Sequence, residues 1–535
     1  MLTVSTVSAR VDSMDFVLKH SFWIWVLTGV FCLLFFLKPT DLTTSDLGRH
    51  LMNGKLLLAG ETGVLTKNFY SYTTPDFHFV NHHWLFGVIS YCLYMLGGFN
   101  LTTATLALLY VLAPMIISLW WLPKSRGKWL FASGAILLAL PMLHSRIEPR
   151  PEAISALFLA ITPFLWRRYV KAENMRELII TGMLFACMHL VWVNSHIFWI
   201  FAPLVGGGYF LEAIRQKNWN RMVRIFVLCV VLLFVSLITP LGARIFLYPF
   251  TIFSNYAYPV AENQTLFFFL QFYPSIRWWY DLTFVAIFGL LIALFWKNIP
   301  RTLRPLMYVI VFLLGCTLLM VRMASFAGLV IIPFITWLLW IAWSGWLFFQ
   351  KKYALKTDSP VVAMTSSLLI TVVIVVCVFT PLYNPSLSSF GIGLYPGVEN
   401  AAELLRLPEL ANKIIFNNYD IGGYLIWHQL RPNYVYFDNR PEAYPQAFVE
   451  GEVISSQIDE TKWKDTLANH NIEIIVFNRY DQTNWGQPFL IRRLQDPEWS
   501  PIHFDSFSIV LLKNTPENKA FIESHRVPLE SILIS

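Results

Sequence analysis

Asp46, Arg49 and His50 stand at spacings of i, i+3 and i+4. On a helix over 44–58 that spacing puts a carboxylate, a guanidinium and an imidazole on one face. A carboxylate so placed can take a proton from a hydroxyl, and cations beside it favour its ionised form. The polar stretch around them, 41–85, adds Asp41, His78, His82 and His83. It makes this loop a candidate active site. The plain alternative is that Asp46 caps a surface helix and pairs with Arg49. His82 and His83 could hold a phosphate, or could simply bond backbone or lipid headgroups beside Trp84. His78 and His82 have an i, i+4 metal spacing, but the interfacial reading is the stronger one and no metal site is assigned.

A second group of charges is Arg146-Ile-Glu-Pro-Arg-Pro-Glu152. Its prolines hold it out of helix, so Arg146, Glu148, Arg150 and Glu152 are fixed on extended backbone. Arg146 and Arg150, with Glu148 between them, are assigned to binding an anion or an acceptor; an ion-pair lock between helices is the alternative. Arg322 is a second anion candidate against simple snorkelling. Asn194 and His196 are ligand candidates against hydrogen-bonding glue between helices. Further along, Asp438 and Arg440 follow a predicted strand, where ligand contacts are common, although a structural turn explains them as well.

The elements that must position these residues are mostly apolar. Hydrophobic residues make up 56% of the 535, charged residues 14%, and mean hydropathy is +0.53, which is outside the range of soluble globular proteins. Lys and Arg exceed Asp and Glu by 40 to 33, a net charge of +7. The surplus sits in short clusters between apolar runs, so it reads as membrane topology and not as a nucleic-acid surface. No cleavable signal is recognised ahead of the first apolar run. All 6 cysteines fall in apolar segments, with neither zinc nor disulfide spacing.

Runs of roughly 17–25 apolar residues mark spans. They fall near 20–38, 99–122, 128–144, 152–167, 177–194, 196–214, 222–240, 282–296, 304–321, 324–348 and 360–382, about 11 in all. Alternate loops carry Lys124, Arg126 and Lys128, then Arg167, Arg168 and Lys171, then Arg215, Lys217, Arg221 and Arg224. The clusters Lys297, Arg301 and Arg304, and Lys351, Lys352 and Lys356, continue the pattern. Those loops and the N-terminus are therefore expected in the cytoplasm. This holds only if 82–97 lies on the outer surface as an amphipathic helix without crossing. The mixed acids, histidines and arginines then all face outward.

From residue 384 the pattern changes. Apolar runs shorten to strand length at 413–417, 434–438, 472–478 and 506–513, separated by helical stretches near 399–410, 421–430, 460–469, 486–495 and 516–526. A small α/β domain over 384–535 is expected on the outer side, following a transmembrane module over 1–383 whose first outer loop is 39–98. Gly422–Gly423 marks a turn or a close approach. Residues 351–359 read as a short linker.

The loop DLGRHLMNGKLL…NFYSYT…NHHWLFG resembles the first-loop signature of bacterial multi-pass membrane proteins of the GT-C glycosyltransferase superfamily. The likeness continues through SRIEPRPEAIS, LVWVNSH, ITPLGARIFLYP and VRMASFAGLVIIP, and ends in NNYDIGGYLIWHQL and FDNR. The resemblance implies a polytopic α-helical fold of the GT-C kind in a bacterial inner membrane. It also implies a sugar donor carried on a polyprenyl phosphate, and a first-loop acid that activates the acceptor. Asp46 matches that position, and Asp41 is its nearest rival. Arg49, His50, His82, His83, Arg146, Glu148, Arg150, Asn194, His196 and Arg322 are then the expected substrate-binding set. No cofactor is assigned, and a divalent metal stays open. The acceptor, whether glycan, lipid or protein, is not specified.

Two other classes fit less well. A lipid or glycan transporter would place ionisable groups or broken helices near the bilayer midplane, whereas here the polar set gathers at one end of the spans. A non-catalytic scaffold for envelope assembly would depend on 384–535 and not on Asp46. The enzyme reading requires Asp46 and the later arginines to line one wet pocket roofed by the C-terminal domain.

Overall fold

The computed structural model describes residues 19–125, 127–143, 148–252, 256, 258–352, 390–428 and 434–532. The apolar runs form helices: α1 (Ser21–Phe36), α2 (Leu47–Leu58), α3 (Trp84–Ser118), α4 (Lys128–Leu143), α5 (Glu152–Lys171), α6 (Met175–Ser195) and α7 (Phe201–Arg215). They continue as α8 (Trp219–Val235), the short α9 (Arg244–Thr251) and α10 (Leu266–Phe272), then α11 (Ile276–Phe295), α12 (Arg304–Leu319) and α13 (Ala324–Lys352). The first ten expected spans each fall on one of these helices; the eleventh, near 360–382, and the linker before it lie outside the described residues. Among the described residues, five helices are long and apolar enough to cross a membrane, and three shorter apolar ones accompany them.

Side-chain caps fix several helix starts. Asn174 accepts from the Glu177 amide at α6, Asn218 from the Arg221 amide at α8, and Thr265 from the Phe268 amide at α10. The buried face of the bundle is built from α3 on α5, α4 on α13, and α7 on α12, with Trp166, Trp192 and Trp337 almost wholly enclosed.

The expected boundary inside 82–122 is a break within α3. Gly97 and Gly98 leave helical geometry, and Gly98 takes φ +63° with ψ −159°, a conformation open to glycine and rarely to other residues. The half before the break buries Phe86, Gly87 and Ser90 and exposes the apolar Met95 and Leu96.

The C-terminal region forms a four-stranded sheet in the order β1-β2-β4-β3, made of β1 (Ile415–Asn417), β2 (Ile474–Asn478), β3 (Trp499–Phe504) and β4 (Ser508–Lys513). The β1–β2 pair is parallel and the other two are antiparallel. Helices α14 (Asn400–Leu405), α15 (Gly422–His428), α16 (Glu460–His470), α17 (Gly486–Gln495) and α18 (Lys519–His525) flank it. One expected strand is corrected. Segment 434–438 does not join this sheet, because its backbone pairs with the first loop: the Val435 amide donates to the Tyr70 carbonyl (3.2 Å) and the Tyr72 amide to the Val435 carbonyl (3.2 Å). The strand that fills the sheet instead is β3, whose Pro501 and His503 hid its alternation.

The same core crosses both regions. Leu42, Leu47, Leu51 and Met52 pack with Val398, Leu425, Ile474 and Val510, so the first loop belongs to the hydrophobic core of the C-terminal domain. Helix α2 is gripped on two sides by glycine contacts. A Cβ on Gly54 would stand 2.2 Å from the Gly87 carbonyl oxygen of α3, and one on Gly48 would stand 2.7 Å from the Gly423 carbonyl oxygen of α15. The sequence marked Gly422–Gly423 as a turn or a close approach; close approach is what the packing uses.

Candidate active site

At the junction of bundle, first loop and C-terminal domain lies a cavity of about 680 Å³. That is within the range of sites that enclose a small-molecule substrate. Asp46 sits at the N-terminal boundary of α2, with its backbone fixed as the helix cap but its carboxylate unspent on capping. The carboxylate reaches instead to Arg49 Nη2 at 3.3 Å and to Arg150 Nε at 3.8 Å. Three residues distant in sequence or one turn apart thus meet on the cavity wall.

Arg150 is the hub. It also meets Glu148 at 2.6 Å and Glu262 in a short contact. Burial opposes its charge, but Glu148, Glu262 and Asp46 outweigh that and raise its pKa above the ordinary guanidinium value. Arg322 lies on the same wall, donating to Asn263 Oδ1 (3.0 Å) and to Glu152 Oε1 (3.2 Å), with Glu262 at 3.9 Å. A smaller cavity of about 170 Å³ shares Arg150, Glu262 and Arg322 and adds Glu148 and Arg277. Prolines on either side of Arg150 hold this run out of helix until Glu152 opens α5, which is why it can present both charges sideways.

The histidines form one group. His83 stands with His82 (ring centroids 3.7 Å), His50 (5.3 Å) and His196 (5.2 Å). His82, His83 and His196 line the cavity; His50 lies behind it, fully buried against Phe86, and neither ring nitrogen has a hydrogen-bond partner. Burial, reinforced by neighbouring cations and imidazoles, holds His50 and His83 well below the usual range and His82 at about 3. These are neutral imidazoles at pH 7. His196 Nδ1 shares a 2.7 Å hydrogen bond with Ser155 Oγ, which also accepts from Trp192 Nε1 at 2.7 Å. The other ring nitrogen of His196, Nε2, stands 3.8 Å from Glu152.

Other candidates stand apart from the cavity. Asp41 Oδ1 accepts from the Thr43 amide (2.8 Å) and hydroxyl (2.6 Å), closing a turn. Asn194 accepts from Trp84 Nε1 (2.9 Å) and donates to the Leu190 and Ile238 carbonyls, tying three segments together. Arg146 lies outside the described residues. Asp438 and Arg440 form a closed bidentate pair (2.7 and 2.6 Å) whose remaining capacity goes to Asn68 and Tyr444. Among the described residues, no group of three or more His, Cys, Asp or Glu is arranged to hold a metal ion.

Several cavity residues come from outside the expected set. Glu262 on the wall, and Glu152 outside the lining, hold the arginines, and the C-terminal domain supplies Tyr419, Asp420, Asn439 and Glu442. Asn439, between Asp438 and Arg440, accepts from Arg49 Nε at 3.1 Å. Burial and the neighbouring Asp481 and Asp46 push Asp420 up to about 8. The segments NNYD and FDNR marked these neighbourhoods, but only the fold says which residue of each turns inward.

No protein-family model matches the chain, and no curated protein matches it. Solved structures do. The archaeal oligosaccharyltransferase AglB from Archaeoglobus fulgidus, in complex with an inhibitory peptide and a dolichol-phosphate, aligns at TM-score 0.57 and 10% identity, over 90% of this chain and 72% of that one. The Archaeoglobus fulgidus oligosaccharyltransferase tethered to an acceptor peptide aligns at 0.57 and 11%, over 94% and 75%. ArnT from Cupriavidus metallidurans bound to undecaprenyl phosphate aligns less closely, at 0.49 and 12%, over 93% and 98%; the fold assignment rests on the first two. The chain shares the fold of these oligosaccharyltransferase structures.

Proposed function

We propose that this chain is a membrane glycosyltransferase. It takes a sugar from a polyprenyl-phosphate-linked donor and passes it to an acceptor on the extracytoplasmic side of a bacterial inner membrane. The N-terminus is cytoplasmic by the charge rule, and the C-terminal domain roofs the site from outside. The observation that carries the reading is the meeting of Asp46 with Arg150, beside Arg322, on one cavity wall. Asp46 takes the proton of the attacking acceptor group as the new bond to the sugar forms. The bond from the sugar to the phosphate oxygen breaks, and that oxygen leaves with the electron pair. Arg150 and Arg322 face the developing charge, exchanging part of their contact with Glu262 for the phosphate. The neutral histidines beside them can donate or accept without adding charge. The dolichol-phosphate held by the AglB structure supports a lipid-phosphate donor.

The test is Asp46→Asn, with the glycan profile of intact cells as readout. Loss of a base on this scale lowers transfer about 10²–10⁴-fold. A normal profile with folded variant protein in the membrane would sink the assignment.

A further inference from the structure

The cations of the main cavity come from one side only, where Asp46 and Glu262 accompany them. Its cations Arg49, Arg150 and Arg322 come from the first loop and the bundle. Among the described residues, the C-terminal domain contributes no Lys or Arg to the lining; it brings acids, amides and aromatic rings. Tyr419 and Asp420 stand inside, and Tyr480, Gln482, Asn484 and Trp485 form the rim on the loop that follows β2. Tyr258 joins that wall, stacked on Tyr419 with centroids 4.2 Å apart at 12° and edge-on to Trp485 at 5.9 Å. Tyr480 is 49% exposed and Gln482 and Asn484 are exposed as well, so donors, acceptors and ring faces are presented to solvent at the mouth.

A wall of this composition offers no cation to an anion and nothing to a long apolar chain. It matches a ligand that combines flat C–H faces with many hydroxyls: rings to stack on aromatic faces, hydroxyls to bond carboxyl and amide groups. We infer that the roof of the cavity, formed by Tyr480, Gln482, Asn484, Trp485 and Asp420, is the binding site for the acceptor and that the acceptor is an uncharged carbohydrate. The inference rests on the reading above in taking the arginine wall for the donor phosphate, which leaves the opposite wall for the second substrate. A cavity of about 680 Å³ has room for both ends of the reaction at once. Asp420, protonated over much of the neutral range, can donate as well as accept a hydrogen bond to a sugar hydroxyl.

The experiment is calorimetric titration of the full chain in lipid nanodiscs with maltotriose, chitotriose, trigalacturonate, a glucosamine trimer and an uncharged tripeptide. At least one of the two neutral trisaccharides should bind 10-fold or more tighter than trigalacturonate and the peptide. Trp485→Ala should weaken it at least 10-fold, Trp485→Phe should keep most of the affinity, and the distant surface change Ile458→Ala should leave it unchanged. Tyr480→Ala, at a half-exposed position, gives the same reading if Trp485→Ala fails to fold. Binding of neither neutral sugar, equal binding of the acidic trimer or the peptide, or preference for the glucosamine trimer overturns the inference. Titration does not depend on Asp46, so neutral-sugar binding with an unchanged Asp46→Asn profile retires the catalytic reading alone. Transfer that requires Asp46 but ends on a peptide or an anionic lipid retires this inference alone.

Discussion

Two arginine–carboxylate groups lie within the same junction and do opposite things. Arg440 and Asp438 are 2% and 0% exposed and bonded to each other twice. Asn68 and Tyr444 take their remaining capacity, and the Tyr70 and Phe79 rings cover the guanidinium. Arg150 and Arg322 are each 16% exposed and share four carboxylates. Contacts are close at Glu148 (2.6 Å) and Glu152 (3.2 Å), and long at Asp46 (3.8 Å) and between Arg322 and Glu262 (3.9 Å). Neither Nε makes a hydrogen bond. A saturated pair is a rivet, because nothing can replace either partner without leaving a buried charge. A shared set facing a cavity can trade one carboxylate for a phosphate. Residue type does not separate the two; saturation does.

The largest effect should come from breaking the rivet. Arg440→Met strands Asp438 and should cost about 3–5 kcal/mol, read as a fall in the thermal unfolding midpoint in detergent. Adding Asp438→Asn should recover much of that loss; no recovery would mean that the ring packing, and not the pair, holds the junction. Acid should act next, through the imidazoles beside the open group. His82 titrates at about 3 when folded against an ordinary 6.5, and His83 and His50 are also depressed. Below pH 6.5 the unfolded chain therefore binds more protons than the folded one. Stability is full above that pH and falls as pH drops, by up to about 1.4 kcal/mol per unit for each such histidine. His82→Gln should flatten the slope between pH 6.5 and 5; an unchanged slope removes His82 from the account. The smallest change should be Arg322→Lys. It keeps the charge and loses the fork, so donor binding should weaken roughly 10-fold, or about 1.4 kcal/mol, with the unfolding midpoint moved by less than a degree or two. A drop matching that of Arg440→Met would erase the distinction between the groups.

Much of the arrangement could be read from the chain before any coordinates. Apolar runs set ten helices within a few residues, since length and hydropathy are local properties. Asp46 with Arg49 was legible from helical spacing, and Arg150 from the prolines on either side of it. Its contact with Asp46, by contrast, closes across about a hundred residues, which no local pattern records. Segment 434–438 was misread because its apolar alternation is real, while its partner is Tyr70 and not a sheet strand. Asn439 was passed over for its charged neighbours, although charge there marked a rivet and the neutral amide faced the cavity. Glu262 stood on an outer loop with no spacing to tie it to any arginine. Pairing across distant segments is where reading by period and propensity ends.

Helix α2 is pinched near its start against Gly423 and near its end against Gly87, with no side chain between the backbones at either point. It therefore works as an axle between two bearings, one in each half of the protein. A side chain added at either glycine would push apart the two halves of the protein at the helix that begins with Asp46.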